Sequence, residues 1–271
     1  MALARSLDID AYKPAEIARR IEDVGVTKAG LGVVETVTLG VLAGAFIALG
    51  SIFFLLVTTE SGLGFGPARL LGGMAFSLGL VLVVVAGAEL FTGNNLIVMA
   101  WIDQKVSTAA LLRNWGLVYA ANFAGAVGTA VLVTLAGTLA LAEGALAETA
   151  FAVARIKAEI VWHEAFFRGV LCNVLVCLAV WLTFAARDVT GKILAIVLPI
   201  SAFVALGFEH SVANMFFFPL ALLNGAPEVT VAGMVANLVP VTLGNIVGGG
   251  GLVGLVYWLC YHPGDAPSSG S

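Results

Sequence analysis

The chain has 271 residues, of which 60% are hydrophobic and only 11% are charged. A soluble domain carries about 25% charged residues, so this composition excludes an ordinary soluble protein and predicts that most of the chain lies in lipid. The formal net charge of −4 is too small to indicate a nucleic-acid partner or a membrane attachment driven by charge.

The first predicted element is a short amphipathic helix. Pro14 suits a first helical turn, and Ile17, Ile21 and Val24 follow at the spacing of one helical face. A short helix with one apolar face is typical of a segment that lies at the membrane interface. We therefore expect residues 1–30 to form an N-terminal cytoplasmic amphipathic helix.

Six apolar segments follow, and each is long enough to cross a bilayer, which requires about 20 residues. They lie near residues 32–59, 68–102, 109–141, 163–186, 191–224 and 230–261. These segments predict an all-α membrane protein with six transmembrane helices, whose channel domain occupies residues 31–262. The tail at residues 263–271 has no apolar period and is expected to be disordered.

The basic residues predict the orientation of these spans, because cytoplasmic loops carry an excess of lysine and arginine. One side of the membrane receives Arg5, Lys13, Arg19, Arg20, Lys28, Lys105, Arg113, Arg187 and Lys192. The other side receives Arg69, Arg155, Lys157 and Arg168. This difference predicts a multi-pass protein of a bacterial-type inner (plasma) membrane with both termini in the cytoplasm.

The second and fifth spans are over-long, and the same polar pattern interrupts both. Residues 87–94 and residues 207–214 fit Gly-x-Glu-x-x-x-small-Asn, with Glu89 and Glu209 as the acids. A carboxylate at membrane depth is costly unless it is paired, neutralised or faces a cavity. Equivalent breaks in two helices predict a substrate site built from discontinuous helices. The chain is therefore expected to pass a small solute through a membrane.

Other segments extend this similarity into an internal repeat. Asn122-x-x-Gly-x-x-Gly matches Asn245-x-x-Gly-x-x-Gly, and Gly40-Val-Leu-Ala resembles Gly169-Val-Leu-Cys. Each copy contains three spans, and an odd number of spans requires the second copy to insert upside down. The sequence thus predicts a 3+3 inverted repeat in which the two breaks meet near the midplane from opposite sides.

Two residues in the breaks are candidates for contact with the solute. His210 is the histidine that falls inside a predicted span, directly after Glu209. A titratable ring at this place favours a role in transport over that of a satisfied core residue. Thr92 lies in the opposing break, where its hydroxyl either binds the ring or a solute or caps the broken helix.

The other polar residues of these segments are expected to be structural. Each break frees backbone N–H groups that need acceptors. The expected partners are Glu89, Glu209, Asn94, Asn214, Asn173 and Asn245. Four apolar residues have two interpretations, either as ordinary core or lipid-facing residues or as pore constrictions that strip water from a solute. These residues are Phe76, Leu80, Phe91 and Phe203.

The motifs of other protein classes are absent from the sequence. There is no His-Glu-x-x-His, no Gly-x-Ser-x-Gly and no pair of aspartates within the spans, so we predict no catalytic residue and no enzyme. The cysteines show no Cys-x-x-Cys spacing, so neither a metal nor a cofactor is predicted. An aquaporin-like conduit for neutral solutes stays open as an alternative, although it would need no titratable group at its centre.

The segments around the breaks resemble the formate/nitrite transporter family from about residue 13 to residue 261. The similar segments are Gly40–Gly50, Phe76–Leu80, Glu89–Gly93, Asn173–Trp181, Gly207–Met215 and Pro240–Asn245. The resemblance implies an aquaporin-like protomer in a homopentamer with one pore per protomer. It also implies a small monovalent anion as substrate, formate first, with nitrite and hydrosulfide as alternatives.

The resemblance also implies roles for individual residues. His210 matches a central pore histidine, and Thr92 matches its partner. The implied constrictions and lining residues are Phe76, Leu80, Phe91, Phe203, Asn173 and Val176, and Lys157 matches a basic residue at the outer mouth. Protons are expected to accompany the anion. Thr92-Gly-Asn differs from the Thr-Ser-Thr of formate channels, which leaves the choice between formate and nitrite open.

Overall fold

The computed structural model describes residues 12–261, so the prediction for residues 263–271 lies outside the described part. The first half of the chain forms α1 (Pro14–Gly30), α2 (Val33–Thr58), α3 (Phe65–Gly87), α4 (Gly93–Ile102) and α5 (Thr108–Leu135). The second half forms α6 (Ala145–Glu159), α7 (Trp162–Ala185), α8 (Val189–Ala205), α9 (Ser211–Leu223) and α10 (Val231–Tyr261).

The predicted all-α membrane architecture is confirmed. Five of these helices, α2, α3, α5, α7 and α10, are long and apolar enough to cross a bilayer. The fifth predicted span consists of α8 and α9, two shorter apolar helices separated by the second break. The second predicted span is divided in the same way between α3 and α4.

The helix packing follows the inverted repeat. Helix α2 packs along α5, α7 packs along α10, and α3 and α8 pack against each other. The repeat is longer than the sequence indicated, because a short helix precedes each set of three spans. Helix α1 occupies this place in the first half and α6, which the sequence analysis did not predict, occupies it in the second.

One predicted boundary is wrong. The third span was expected to reach residue 141, whereas α5 ends at Leu135. Gly137 adopts a left-handed φ of +67°, which stops the helix. Two 3₁₀ turns, Thr138–Ala140 and Ala142–Gly144, then lead the chain into α6.

Helix α1, which the sequence places at the membrane interface, packs on protein. Its buried Ile17 and Ile21 belong to one apolar cluster with Leu96 and Met99 of α4. Glu22 of α1 is also buried, and Lys105 Nζ lies 2.7 Å from its carboxylate. Burial raises the pKa of Glu22, and the bond to this carboxylate raises the pKa of Lys105. These contacts fix α1 against the first break.

The two breaks begin with the same helix ending. Gly87 has a φ of +82° and Gly207 has a φ of +74°, a conformation that glycine adopts at little cost. The next N–H then bonds five residues back, from Ala88 to the Val83 carbonyl at 2.9 Å and from Phe208 to the Phe203 carbonyl at 3.0 Å. This Schellman pattern ends α3 and α8 at equivalent depths.

Glycines in the repeated Asn-x-x-Gly-x-x-Gly motif allow close helix contact. A Cβ atom on Gly125 of α5 would overlap the Val41 carbonyl oxygen of α2, whereas one on Gly128 would meet open space. The second copy repeats this difference, with Gly248 against the Val170 carbonyl and Gly251 open. The first glycine of each motif therefore holds two backbones together.

This difference predicts that Gly125→Ala destabilises the protein and Gly128→Ala does not. The added methyl at Gly125 must push α5 away from α2, at a cost of about 1–3 kcal/mol for overpacking. We expect the unfolding temperature in detergent to fall by several degrees for Gly125→Ala only. Equal unfolding temperatures for the two variants would contradict the close contact.

Candidate functional site

A lysine, a glutamate and two asparagines form a buried network beside the first break. Lys28 Nζ of α1 lies 2.7 Å from Glu89 Oε1 and donates to Asn94 Oδ1 at 3.0 Å. Asn94 Nδ2 donates to Glu89 Oε2 at 2.7 Å and to Asn114 Oδ1 at 3.0 Å. Asn114 then donates to the Lys28 carbonyl at 3.1 Å, which closes the circuit.

The second break carries an equivalent network, without a bond from the lysine to the asparagine Oδ1. Lys157 Nζ of α6 lies 2.8 Å from Glu209 Oε1, and Asn214 Nδ2 donates to Glu209 Oε2 at 2.7 Å. Asn214 also donates to Asn237 Oδ1 at 2.7 Å, and Asn237 donates to the Lys157 carbonyl at 2.8 Å. Each intramembrane carboxylate is therefore paired with one lysine and one amide, which offsets the cost of its burial.

Lys28 is a site residue that the sequence analysis missed. The signal was present, since Lys28 and Lys157 are separated by 129 positions, as are Gly40 and Gly169 of the repeat. Asn114 and Asn237 are separated by 123 positions, as are Asn122 and Asn245. Treating α1 as a surface helix outside the repeat hid the correspondence.

The backbone groups at the breaks are bonded mainly by asparagines and carbonyls, which differs from the role expected of the glutamates. Asn122 Oδ1 accepts the Phe91 N–H at 2.9 Å, and Asn122 Nδ2 donates to the Glu89 carbonyl at 2.9 Å and the Gly40 carbonyl at 2.7 Å. The Glu89 N–H itself bonds the Leu39 carbonyl at 3.2 Å. Asn122 thus fastens the first break to α2.

Asn245 performs the same task at the second break. Its Oδ1 accepts the Ser211 N–H at 3.0 Å, and its Nδ2 donates to the Glu209 carbonyl at 3.0 Å and the Gly169 carbonyl at 2.8 Å. The expected structural role of Asn245 agrees with these bonds. Asn173 donates to the Asn245 carbonyl at 2.7 Å and to the Thr92 carbonyl at 3.2 Å, so it links the two breaks.

We expect Asn245→Ala to destabilise the protein strongly. The change removes three hydrogen bonds and leaves buried backbone groups unpaired, at about 1–3 kcal/mol for each group. Thermal unfolding in detergent should show a large decrease in Tm. Asn224→Ala is the control, because Asn224 is only half-buried at the end of α9 and its amide bonds Thr134 and the Leu220 carbonyl, away from both breaks. A similar small decrease for both variants would show that the second break does not depend on Asn245.

His210 and Thr92 meet between the two breaks. His210 Nε2 lies 3.0 Å from Thr92 Oγ1, and the two residues are 3% and 0% exposed. His210 Nδ1 accepts the Ala213 N–H at 3.1 Å and caps α9. Because Nδ1 is an acceptor here, the neutral ring carries its proton on Nε2 and donates to the threonine hydroxyl. The ring thus offers one N–H at the contact between the repeats.

Two cavities approach this contact from opposite sides. The α1-side vestibule has a volume of about 430 Å³, and its walls include Lys28, Glu89, Gly87, Leu80 and Lys192. The α6-side vestibule has a volume of about 180 Å³, and its walls include Lys157, Glu209, Phe76, Phe203, His210 and Arg69. Each vestibule thus contains one of the two lysine–glutamate pairs.

Aromatic residues pack against one another near His210 and Thr92. The Phe76 and Phe203 rings meet edge to face at a centroid distance of 5.5 Å, and the Phe203 ring stacks on His210 at 5.9 Å. Phe91 packs against Tyr119 at 4.9 Å, in the same apolar cluster as Leu80. All four predicted constriction residues are therefore buried, and Phe203 lies against the His210 ring. Phe91, Asn173, Val176 and Thr92 line neither vestibule.

Comparison with known proteins identifies the family. The family model described as "Formate/nitrite transporter" matches residues 15–259. The chain belongs to the formate/nitrite transporter family. It is therefore a membrane transport protein, and its relatives are channels and transporters rather than enzymes.

Individual members of the family match most of the chain. The "Formate channel FocA" of Escherichia coli (strain K12) is 40% identical over 271 aligned residues, covering 93% of this chain and 95% of the relative. The "Uncharacterized transporter YrhG" of Bacillus subtilis (strain 168) is 42% identical, with coverages of 93% and 95%. A solved "Pentameric formate channel with formate bound" is 37% identical with a TM-score of 0.78, covering 85% of this chain and 98% of its own. A solved "FNT family ion channel" is 30% identical with a TM-score of 0.84, with coverages of 90% and 98%.

Proposed function

We propose that this protein conducts small monovalent anions, with formate as the first candidate, and that passage is linked to a proton at His210. The observation that carries the proposal is the buried 3.0 Å contact between His210 and Thr92, between two vestibules that each contain a lysine. The similarity to proteins named formate channels supports formate as the substrate.

The energetics favour passage together with a proton. Moving a bare anion through a dry constriction costs tens of kcal/mol in principle, because water no longer solvates the charge. Protonating an acid with a pKa of about 3.7 at pH 7 costs about 4 kcal/mol, from about 1.36 kcal/mol for each pH unit. Crossing as a neutral acid, or beside an imidazolium, is therefore much cheaper than crossing as a free ion.

The hydrogen bonds of His210 distinguish a neutral imidazole from a protonated imidazolium. An imidazolium is a donor at both nitrogens, so protonation of His210 breaks the bond that Nδ1 accepts from Ala213. In the empty pore this loss, together with the surrounding apolar rings, keeps the imidazole neutral. An anion at Nε2 favours transfer of a proton from vestibule water to Nδ1 and compensates for the lost cap. The imidazolium then gives its Nε2 proton to the anion, which leaves as the acid. The ring returns to its resting form when Nδ1 releases a proton to water and Nε2 takes one from water, so one proton is consumed for each anion.

The two lysines are proposed to bring the anion to the constrictions. Lys28 and Lys157 each keep a glutamate partner. The lysine–glutamate pair therefore adds little net positive charge to its vestibule. An anion that enters competes with Glu89 or Glu209 for lysine N–H donors while the asparagines continue to hold the carboxylates. The residues Phe76, Leu80, Phe91 and Phe203 then remove its water, with Asn173 and Val176 supporting the lining.

The assembly is proposed to be a homopentamer in the lipid bilayer, with one pore in each protomer. The exposed apolar residues on α2, α3, α5 and α8 give each protomer lateral surfaces that suit lipid or a neighbouring copy. We further propose a bacterial-type inner membrane, both termini in the cytoplasm, residues 1–30 as a cytoplasmic segment and residues 31–262 as the channel domain. A detergent-corrected mass of five protomers is expected, and a mass of one or two would contradict the assembly.

Flux into liposomes tests the proposed function. Purified protein should admit formate, and parallel assays with nitrite and hydrosulfide rank the other anions that the family name and the resemblance suggest. Glycerol serves as the neutral solute, since an aquaporin-like conduit would pass it without regard to pH. Formate flux that rises as the external pH falls supports the proposal. Glycerol flux with no anion flux would overturn it.

A further inference from the structure

The α1-side vestibule contains a second lysine, Lys192, in addition to the Lys28–Glu89 ion pair. Lys28 in this cavity is bonded to Glu89 and Asn94. Lys192, on the first turns of α8, lines the same cavity and has no side-chain partner among residues 12–261. The nearby Asp188 uses Oδ1 to accept the Gly191 N–H at 2.8 Å and caps the helix. Lys192 therefore adds to this vestibule an ammonium group whose N–H donors have no side-chain acceptor within the described residues.

The α6-side vestibule has no equivalent free cation within the described chain. Its three basic residues are all bonded: Lys157 to Glu209 at 2.8 Å, Arg168 to Glu164 at 2.8 Å, and Arg69 to the carbonyls of Val204 and Ala205. Donor groups occupied in this way are less available to an incoming anion than a free ammonium group is. The two mouths therefore differ in their readiness to bind anions.

The difference between the two vestibules arises at one equivalent position of the inverted repeat. Arg69 lines its cavity with Val204 and Gly207 at the end of α8, where its guanidinium bonds the last carbonyls of that helix. Lys192 lines its cavity with Val84 and Gly87 at the end of α3, the equivalent place in the other half. A bonded arginine on one side thus corresponds to a free lysine on the other.

We propose that Lys192 forms an anion-reception site in the α1-side vestibule, ahead of the Lys28–Glu89 pair. Its ligand is a small monovalent anion, and this inference rests on the proposed function. A single positive charge at about 4 Å from an anion in water-filled surroundings corresponds to about a five-fold change in affinity. The site therefore sets the concentration at which the α1-side mouth saturates, whereas Arg69 at the equivalent place on the α6 side has its donors bonded to carbonyls.

Sided flux measurements with Lys192→Gln test the inference. Inside-out and right-side-out membrane vesicles present opposite mouths to added formate, and initial uptake over a concentration series gives the half-saturating concentration for each mouth. We expect Lys192→Gln to raise this concentration about five-fold at the α1 side and to leave it unchanged at the α6 side. Lys192→Arg should retain the wild-type value at both mouths, because it keeps the charge.

Controls separate this site from general surface charge. Arg19→Gln removes an exposed positive charge from α1 that lines neither vestibule, and it should leave both mouths unchanged. Raising an impermeant salt from 0.1 M to 1 M shortens the screening length from about 10 Å to about 3 Å, so the effect of Lys192→Gln should shrink. Wild-type saturation at the α1 side in Lys192→Gln, or equal shifts at both mouths, would overturn the inference alone. Absence of formate flux in the wild type would overturn the proposed function and this inference together.

Discussion

Replacing His210 by asparagine is expected to leave a folded protein that has lost proton-linked formate flux. The asparagine Oδ1 can still cap α9, as asparagine does at many helix N-termini, and its amide keeps a polar group at the position. The amide does not titrate at physiological pH, so the exchange of a proton with the substrate is lost. A positioned acid–base group contributes about 10²-fold or more to rate, and we expect proton-linked flux to fall by that order.

The measurement is formate uptake into liposomes across a pH series, with Tm and assembly mass as checks on folding. His163→Asn is the matched control, because His163 is an exposed histidine at the start of α7. It should retain the wild-type rate and pH profile. Wild-type flux with an unchanged pH profile in His210→Asn would reduce the imidazole to a helix cap.

Removing Phe91 and Phe203 together is expected to admit larger monocarboxylates such as acetate and lactate. Phe203 contacts both Phe76 and His210, whereas Phe91 packs against Tyr119 within the first repeat. Alanine at both positions therefore widens the space on each side of the His210–Thr92 contact. Steric exclusion is lost and water enters, so selectivity between formate and lactate should decrease by at least about ten-fold.

A third phenylalanine controls for the loss of packing. Phe218 of α9 is fully buried and lies in a separate cluster with Ala154 and Ala221. Phe218→Ala should lower stability by about 3–5 kcal/mol, as other buried phenylalanine truncations do, and leave selectivity unchanged. A folded Phe91/Phe203 double variant with wild-type selectivity would remove both rings from the conducting path.

The sequence predicted the membrane spans and the breaks because both depend on local patterns. Apolar length identified the spans, and the Gly-x-Glu-x-x-x-small-Asn pattern located Gly87 and Gly207, the residues whose left-handed conformation ends α3 and α8. The meeting of Thr92 and His210, 118 positions apart, followed from the inverted repeat. Features with a fixed spacing along the chain were therefore accessible without the structure.

The partners of the buried carboxylates were not accessible in this way. A lone glutamate in an apolar segment indicates that some partner exists, but its identity depends on where α1 and α6 pack. Lys28 lies 61 positions before Glu89, and Lys157 lies 52 positions before Glu209, so no local pattern joins them. The backbone at each break likewise depends on Asn122 and Asn245, which approach from the third helix of each repeat.

The most direct test of the account records formate uptake and the luminal pH of liposomes at the same time. If formate crosses with a proton at His210, wild-type uptake should acidify the lumen by one proton for each formate, without a compensating ion flux. His210→Asn liposomes and protein-free liposomes define the background from formic acid that crosses the lipid. Formate entry in the wild type that leaves the luminal pH unchanged and requires a counter-ion would contradict proton-linked passage.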